Sequence, residues 1–127
     1  GTGKDKLLID SIRHKCNNNI VMDDKRASFG EIAAYCKTAK YVLFPYVGDC
    51  VSSSGALIDT IAMGGVPIGP NVGAFRDLAE ENVCITYNTY SELMNILQSD
   101  INNSNLATFI EKNSWKSFAE IINNLIK

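Results

Sequence analysis

The sequence predicts an α/β domain in which a parallel sheet is flanked by helices, and three observations carry that prediction. Short runs rich in β-branched and aromatic residues, at 20–22, 41–46, 66–68 and 83–87, alternate with longer stretches of helical periodicity. Those runs are almost continuously apolar, the pattern of strands covered on both faces in βαβ units. The 127 residues are 46% hydrophobic and contain no repeat, low-complexity segment or linker, which suits one domain over residues 1–127.

Taken in order, residues 6–15 set Leu7, Leu8, Ser11 and Ile12 on one side of an amphipathic helix, which Asn17, Asn18 and Asn19 end. Ile20, Val21 and Met22 read as a short strand, closed by Asp23, Asp24, Lys25 and Arg26. Ser28 with Glu31 three residues later is a capping box, and Ile32, Ala33, Tyr35 and Cys36 form the apolar side of the helix behind it. The run YVLFPY at 41–46 is the strongest strand in the chain, expected to be buried on both faces and ended by Pro45.

A loop over 47–54 leads into a helix from Ala56 to Met63, stopped by Gly64 and Gly65. Residues 66–68 are a buried strand, 69–73 a turn, 74–80 a short helix and 83–87 another strand. Ser91 caps a helix reaching Gln98, and Ser104 caps one reaching Lys112. The last helix, 115–127, gathers Trp115, Phe118, Ile121, Ile122 and Leu125 on one face, where the spacing makes Trp115 and Phe118 core residues. The whole is a Rossmann-like sheet. In such sheets ligands bind beyond the carboxyl ends of the strands, so the loops after Met22, Tyr46, Ile68 and Tyr87 share the edge of interest.

Composition removes several functions. Twelve Lys and Arg against fourteen Asp and Glu give a net charge of -2 without a basic run, which argues against nucleic acid as a partner. The four cysteines (Cys16, Cys36, Cys50, Cys84) are far apart, and with a single histidine they do not suggest a metal site. Reduced core thiols, no apolar run of membrane-spanning length and no secretory signal point to the cytoplasm. Gly1-Thr2-Gly3-Lys4 lacks the earlier glycine and preceding strand of a P-loop, and Asp5 follows the lysine. His14 lies on the polar side of its helix, which leaves no triad chemistry to pursue. The abrupt start suggests a fragment of something larger.

What remains is the loop at 52–55 opening the helix at Ala56. Unpaired amides and the helix dipole point at such a loop, and Gly55 permits close approach. Serine hydroxyls at Ser52, Ser53 and Ser54 add donors, so an anion site is expected there.

The strand at 41–46, the stretch Ser54-Gly55-Ala56-Leu57, residues 62–70 and Asn71-Val72-Gly73 together resemble a retaining glycosyltransferase of the GT-B type. More narrowly they are similar to the C-terminal, donor-binding half of the group 1 (GT4-like) enzymes, and Ser114-Trp115 before a closing helix is similar to their tail. The resemblance covers about residues 20–127. It implies one half of a GT-B fold that binds a UDP- or GDP-linked sugar, without a further cofactor. Its partners would be a glycan or lipid-linked acceptor and an N-terminal Rossmann domain, at the cytoplasmic side of the membrane or free in the cytoplasm.

Residue by residue, the resemblance implies a pyrophosphate over Ser53 to Ala56. The two glutamates of such enzymes fall on Ser52 and Thr60, counted back from Pro67, with Asp59 beside the second as a substitute acid. Lys4 takes the place of the lysine that neutralises the leaving diphosphate, with Lys6 in reserve; the accompanying arginine lies before residue 1 or is absent. Lys25, Arg26 and Phe29 stand where the base is received, and Asn71, Gly73 and Arg76 face the cleft. Two other readings stay open. One is a UDP-sugar 2-epimerase-like domain, whose acidic and histidine partners are not evident. The other is a non-catalytic nucleotide-binding or regulatory module, favoured by the missing glutamates.

Overall fold

A computed structural model of the chain describes residues 5–48, 54–101 and 105–126, and in it helix and strand alternate only between residues 29 and 98. Lys4, Cys50, Ser52, Ser53 and Ser104 lie outside the described residues. The elements are α1 (Lys6–Lys15), α2 (Phe29–Thr38), β1 (Val42–Leu43), α3 (Gly55–Ala62), β2 (Pro67–Pro70), α4 (Gly73–Glu80), β3 (Ile85–Tyr87), α5 (Tyr90–Gln98), α6 (Leu106–Lys112) and α7 (Trp115–Leu125). This is a mixed α/β chain. It divides into two units, Gly1–Ile32 and Ala33–Lys127, with the boundary inside α2.

In the first unit, Asp5 caps α1 by accepting from the Leu8 amide at 3.1 Å, and Arg13, His14 and Lys15 oppose the dipole at its end. Ile9 is buried, whereas Leu7, Leu8 and Ile12 are exposed, contrary to the apolar side expected of them. So short a unit has too little chain to cover a full apolar stripe.

Residues 20–22 are not a strand. The Ile20 amide donates to the Asn17 carbonyl in a turn, and Val21 is 91% exposed. A strand needs a neighbour for its amides and carbonyls, and these residues join no ladder among the described residues. The capping box does form: Glu31 Oε2 accepts from the Ser28 amide and hydroxyl, both at 2.7 Å, and the Glu31 amide donates to Ser28 Oγ at 3.3 Å. Those hydrogen bonds from Ser28, the amide's foremost, hold the Glu31 carboxyl below its ordinary range. On α2, Cys36 is buried and Tyr35 is exposed, so the helix covers a narrower apolar face than its sequence suggests.

In the second unit, three parallel strands run in the order β1-β2-β3, with Val42 opposite Pro67 and Ile68 opposite Ile85. Among the described residues β1 is therefore the edge of the sheet, and with Leu43 exposed and Phe44 buried the stretch at 41–46 is not covered on both faces. Apolar content does not tell a central strand from an edge strand.

The core gathers Phe44, Leu57, Ile61, Phe75, Val83 and Cys84, with Leu78, Phe109 and Ile110 packed around them. Two helix ends turn the chain back towards the sheet in the same way. Gly64 (φ 85°) follows α3, with the Gly65 amide on the Thr60 carbonyl; Asn82 (φ 59°) follows α4, with the Val83 amide on the Leu78 carbonyl. Thr89, not Ser91, caps α5. Its hydroxyl accepts from the Glu92 amide while Glu92 Oε2 accepts from the Asn88 amide, so the Thr-x-x-Glu spacing sets the helix start. The last helix departs most from expectation. Ser114 caps α7, but Trp115, Phe118, Ile121, Ile122 and Leu125 are all exposed.

Candidate functional site

Because the three strands are parallel, their carboxyl ends share one edge, and each feeds a loop that opens a helix. Ser54, extended at φ -142°, caps α3: its Oγ accepts from the Leu57 amide at 3.3 Å, and its carbonyl accepts from Leu57 and Ile58. The next two amides, of Gly55 and Ala56, have no partner among the described residues. Both residues are exposed. A Cβ built on Gly55 would meet no atom of the described residues within 4 Å.

A second helix end stands after β2. Val72 is extended and offers no side-chain cap, and Gly73 begins α4 at φ 49°. Asn71 ties the neighbouring loops together. Its amide donates to the Tyr87 carbonyl at 3.0 Å, and its Nδ2 donates to Asn88 Oδ1 at 3.1 Å. The ends of β2 and β3 are thus held by one residue.

Ser54, Gly55, Ala56, Asn71 and Gly73 accordingly lie along one sheet edge. Asp59 is exposed on α3, one turn after Gly55. Thr60 is buried, its hydroxyl donating to the Ala56 carbonyl at 2.8 Å and its methyl lying close to Gly65. Arg76 is exposed and 3.9 Å from Asp77. In the first unit, the Lys25 amide donates to Asp23 Oδ1 in a tight turn. Arg26 and Phe29 line an open depression of about 590 Å³ with Ala27, Ser28 and Ile32. Lys6 begins α1 beside Asp10 and Arg13, lining a second depression of about 220 Å³.

Sequence reasoning passed over Tyr46, read only as the end of a strand. Its ring packs edge-on against Phe44 (5.8 Å between centroids) and Phe75 (5.6 Å), and its hydroxyl is 3.3 Å from Ser54 Oγ. It also passed over Asn88, for which the Thr89–Glu92 box was the available signal.

Chemically, this edge presents two helix N-termini, each equivalent to about half a positive charge, and free amides above α3. Such an arrangement is chemically suited to an anion. Among the described residues, no three His, Cys, Asp or Glu side chains come together as a metal site, and no helix is long and apolar enough to cross a membrane. No family model matches the chain, and neither a curated protein nor a solved structure matches it.

Proposed function

We propose that this chain is the nucleotide-sugar-binding domain of a retaining glycosyltransferase of the GT-B, group 1 type. It would hold a UDP- or GDP-linked sugar by its diphosphate, for transfer to a glycan or lipid-linked acceptor. The observation that carries the reading is the serine-capped start of α3 at the carboxyl edge of a parallel sheet, where the Gly55 and Ala56 amides have no partner among the described residues. The resemblance of residues 41–73 to that family supplies the substrate class. Acceptor and general acid–base groups belong, on this reading, to an N-terminal Rossmann half. The chain by itself binds the donor weakly and turns nothing over.

A second reading, a non-catalytic nucleotide-binding or regulatory module, is favoured by Thr60. Its hydroxyl is spent on the Ala56 carbonyl, and the nearest carboxylate along the helix is the exposed Asp59. Calorimetry with UDP, GDP and their sugars tests the binding shared by both. Millimolar or tighter binding is expected, and Gly55→Val should abolish most of it while the fold is kept, since a Cβ there meets no atom of the described residues within 4 Å. If the native chain binds no nucleotide, the glycosyltransferase reading is lost. Nucleotide binding without transfer by the full-length enzyme would favour the module.

A further inference from the structure

We infer that the exposed face of α7 pairs with the same face of a second copy of this chain, the two helices running antiparallel about a twofold axis. This pairing is independent of the nucleotide reading. Trp115, Phe118, Ile121, Ile122, Leu125 and Ile126 are all exposed along the helix. At about 100° per residue, Lys116 and Glu120 fall on its other side, so the apolar face brings no charge against its copy. Six such side chains, exposed to this degree, present roughly 700 Å² of apolar surface, close to the ~800 Å² that each partner gives to a standard interface.

The shape of the face decides which partner fits. One end is hollow: beside Trp115, an apolar depression of about 300 Å³ opens against Ile58, Ile61, Phe109 and Ile110. The other end, about 15 Å further along the axis, carries Leu125 and Ile126, which are 76% and 77% exposed. A twofold axis near the middle of α7 brings Leu125 and Ile126 of each copy to the depression of the other. One chain thus supplies both knob and hollow, and a single pairing fills two hollows. The opposed helix dipoles favour the same arrangement. A bilayer surface would instead be favoured by a basic rim, whereas Lys112 stands 4.0 Å from Glu81 and Lys116 lies one turn from Glu120.

An apolar contact of this size, with no ion pair across it, gives a weak dimer with a Kd of about 0.1 mM, so micromolar solutions hold single chains. Sedimentation equilibrium on the whole chain between about 10 μM and 1 mM tests this. Leu125→Lys and Ile58→Glu both change exposed positions, one on the knob and one on the hollow. Each should weaken the dimer about tenfold or more, with the melting temperature at micromolar concentration unchanged. Mixed in equal amounts, the two variants should recover it. The new ammonium then meets the new carboxylate in one hollow, while the other receives a native Leu125. A native chain that stays monomeric to about 1 mM, or that assembles beyond a dimer, would overturn the inference. So would association that neither variant weakens, or a mixture that recovers no dimer.

Discussion

Helices α4 and α7 are both strongly amphipathic in sequence, yet Phe75 on α4 is fully buried while Trp115 on α7 is 85% exposed. The difference lies in what each face meets. Phe75 lies across Gly69 of β2, where a built Cβ would come within 2.2 Å of the ring, and it touches Phe44 and Tyr46. The sheet has been hollowed by one hydrogen atom in place of a methyl group to receive that ring. Trp115 has Phe118 edge-on at 5.9 Å and an apolar depression of about 300 Å³ between α3, α6 and its own helix. Periodicity tells which face of a helix is apolar. Burial depends on a second surface shaped to fit, and that shape is distributed over distant residues.

The largest way to break the contrast is at Phe75. Phe75→Ala should cost about 3–5 kcal/mol, because it empties the centre of the core. Gly69→Ala should cost about 1–3 kcal/mol, because its methyl group collides with the Phe75 ring. The two should not add: with Ala at 75 the collision disappears, and Gly69→Ala becomes nearly neutral. Urea denaturation of the two single variants and the double variant measures this. Additive losses would show that Gly69 is not there for the ring.

The same comparison explains what could be read in advance. Alternating elements, the capping box at Ser28 and Glu31, and the glycine stop after α3 depend on neighbours within a few residues, and the sequence displays them. The edge position of β1, the failure of residues 20–22 to pair and the exposure of α7 depend on what lies alongside, which no local pattern records. The site divides likewise. Ser54, Gly55 and the first amides of α3 were legible as a serine–glycine helix start, whereas Tyr46 was not. Its part depends on Ser54 eight residues on and Phe75 beyond that. Thr60 illustrates the opposite error, since a position inferred from register holds a hydroxyl already bonded inside its own helix.

A smaller effect sharpens the contrast chemically. Cys84 belongs to the core that Phe75 anchors, and burial pushes its thiol up to about 12. Only the thiolate is alkylated, so at pH 8 about one molecule in ten thousand carries the reactive form at this site. Iodoacetamide should label the half-buried Cys16 while sparing Cys84. Labelling of Cys84 should still climb between pH 9 and 11, where an ordinary thiol with a pKa near 9.0 levels off. Peptide mapping by mass spectrometry follows both. Prompt labelling of Cys84 at pH 8 would mean that the core under α4 opens readily.

The smallest effect is expected at Trp115, and it tests the other half of the comparison. A side chain exposed to this degree has little apolar area left to lose, so Trp115→Ala should change stability by about 0.5 kcal/mol or less. On the proposed reading, nucleotide binding should be unchanged, because Trp115 lies outside the loops that form the carboxyl edge of the sheet. The cap should also persist, since Ser114 Oγ accepts from the Ser117 amide and Ser117 Oγ donates to the Glu111 carbonyl, neither through the indole. Urea denaturation at two protein concentrations is the measurement. A loss above about 1 kcal/mol at both concentrations would show that the indole is covered within the chain in solution. A loss that grows with concentration would show a second molecule covering it.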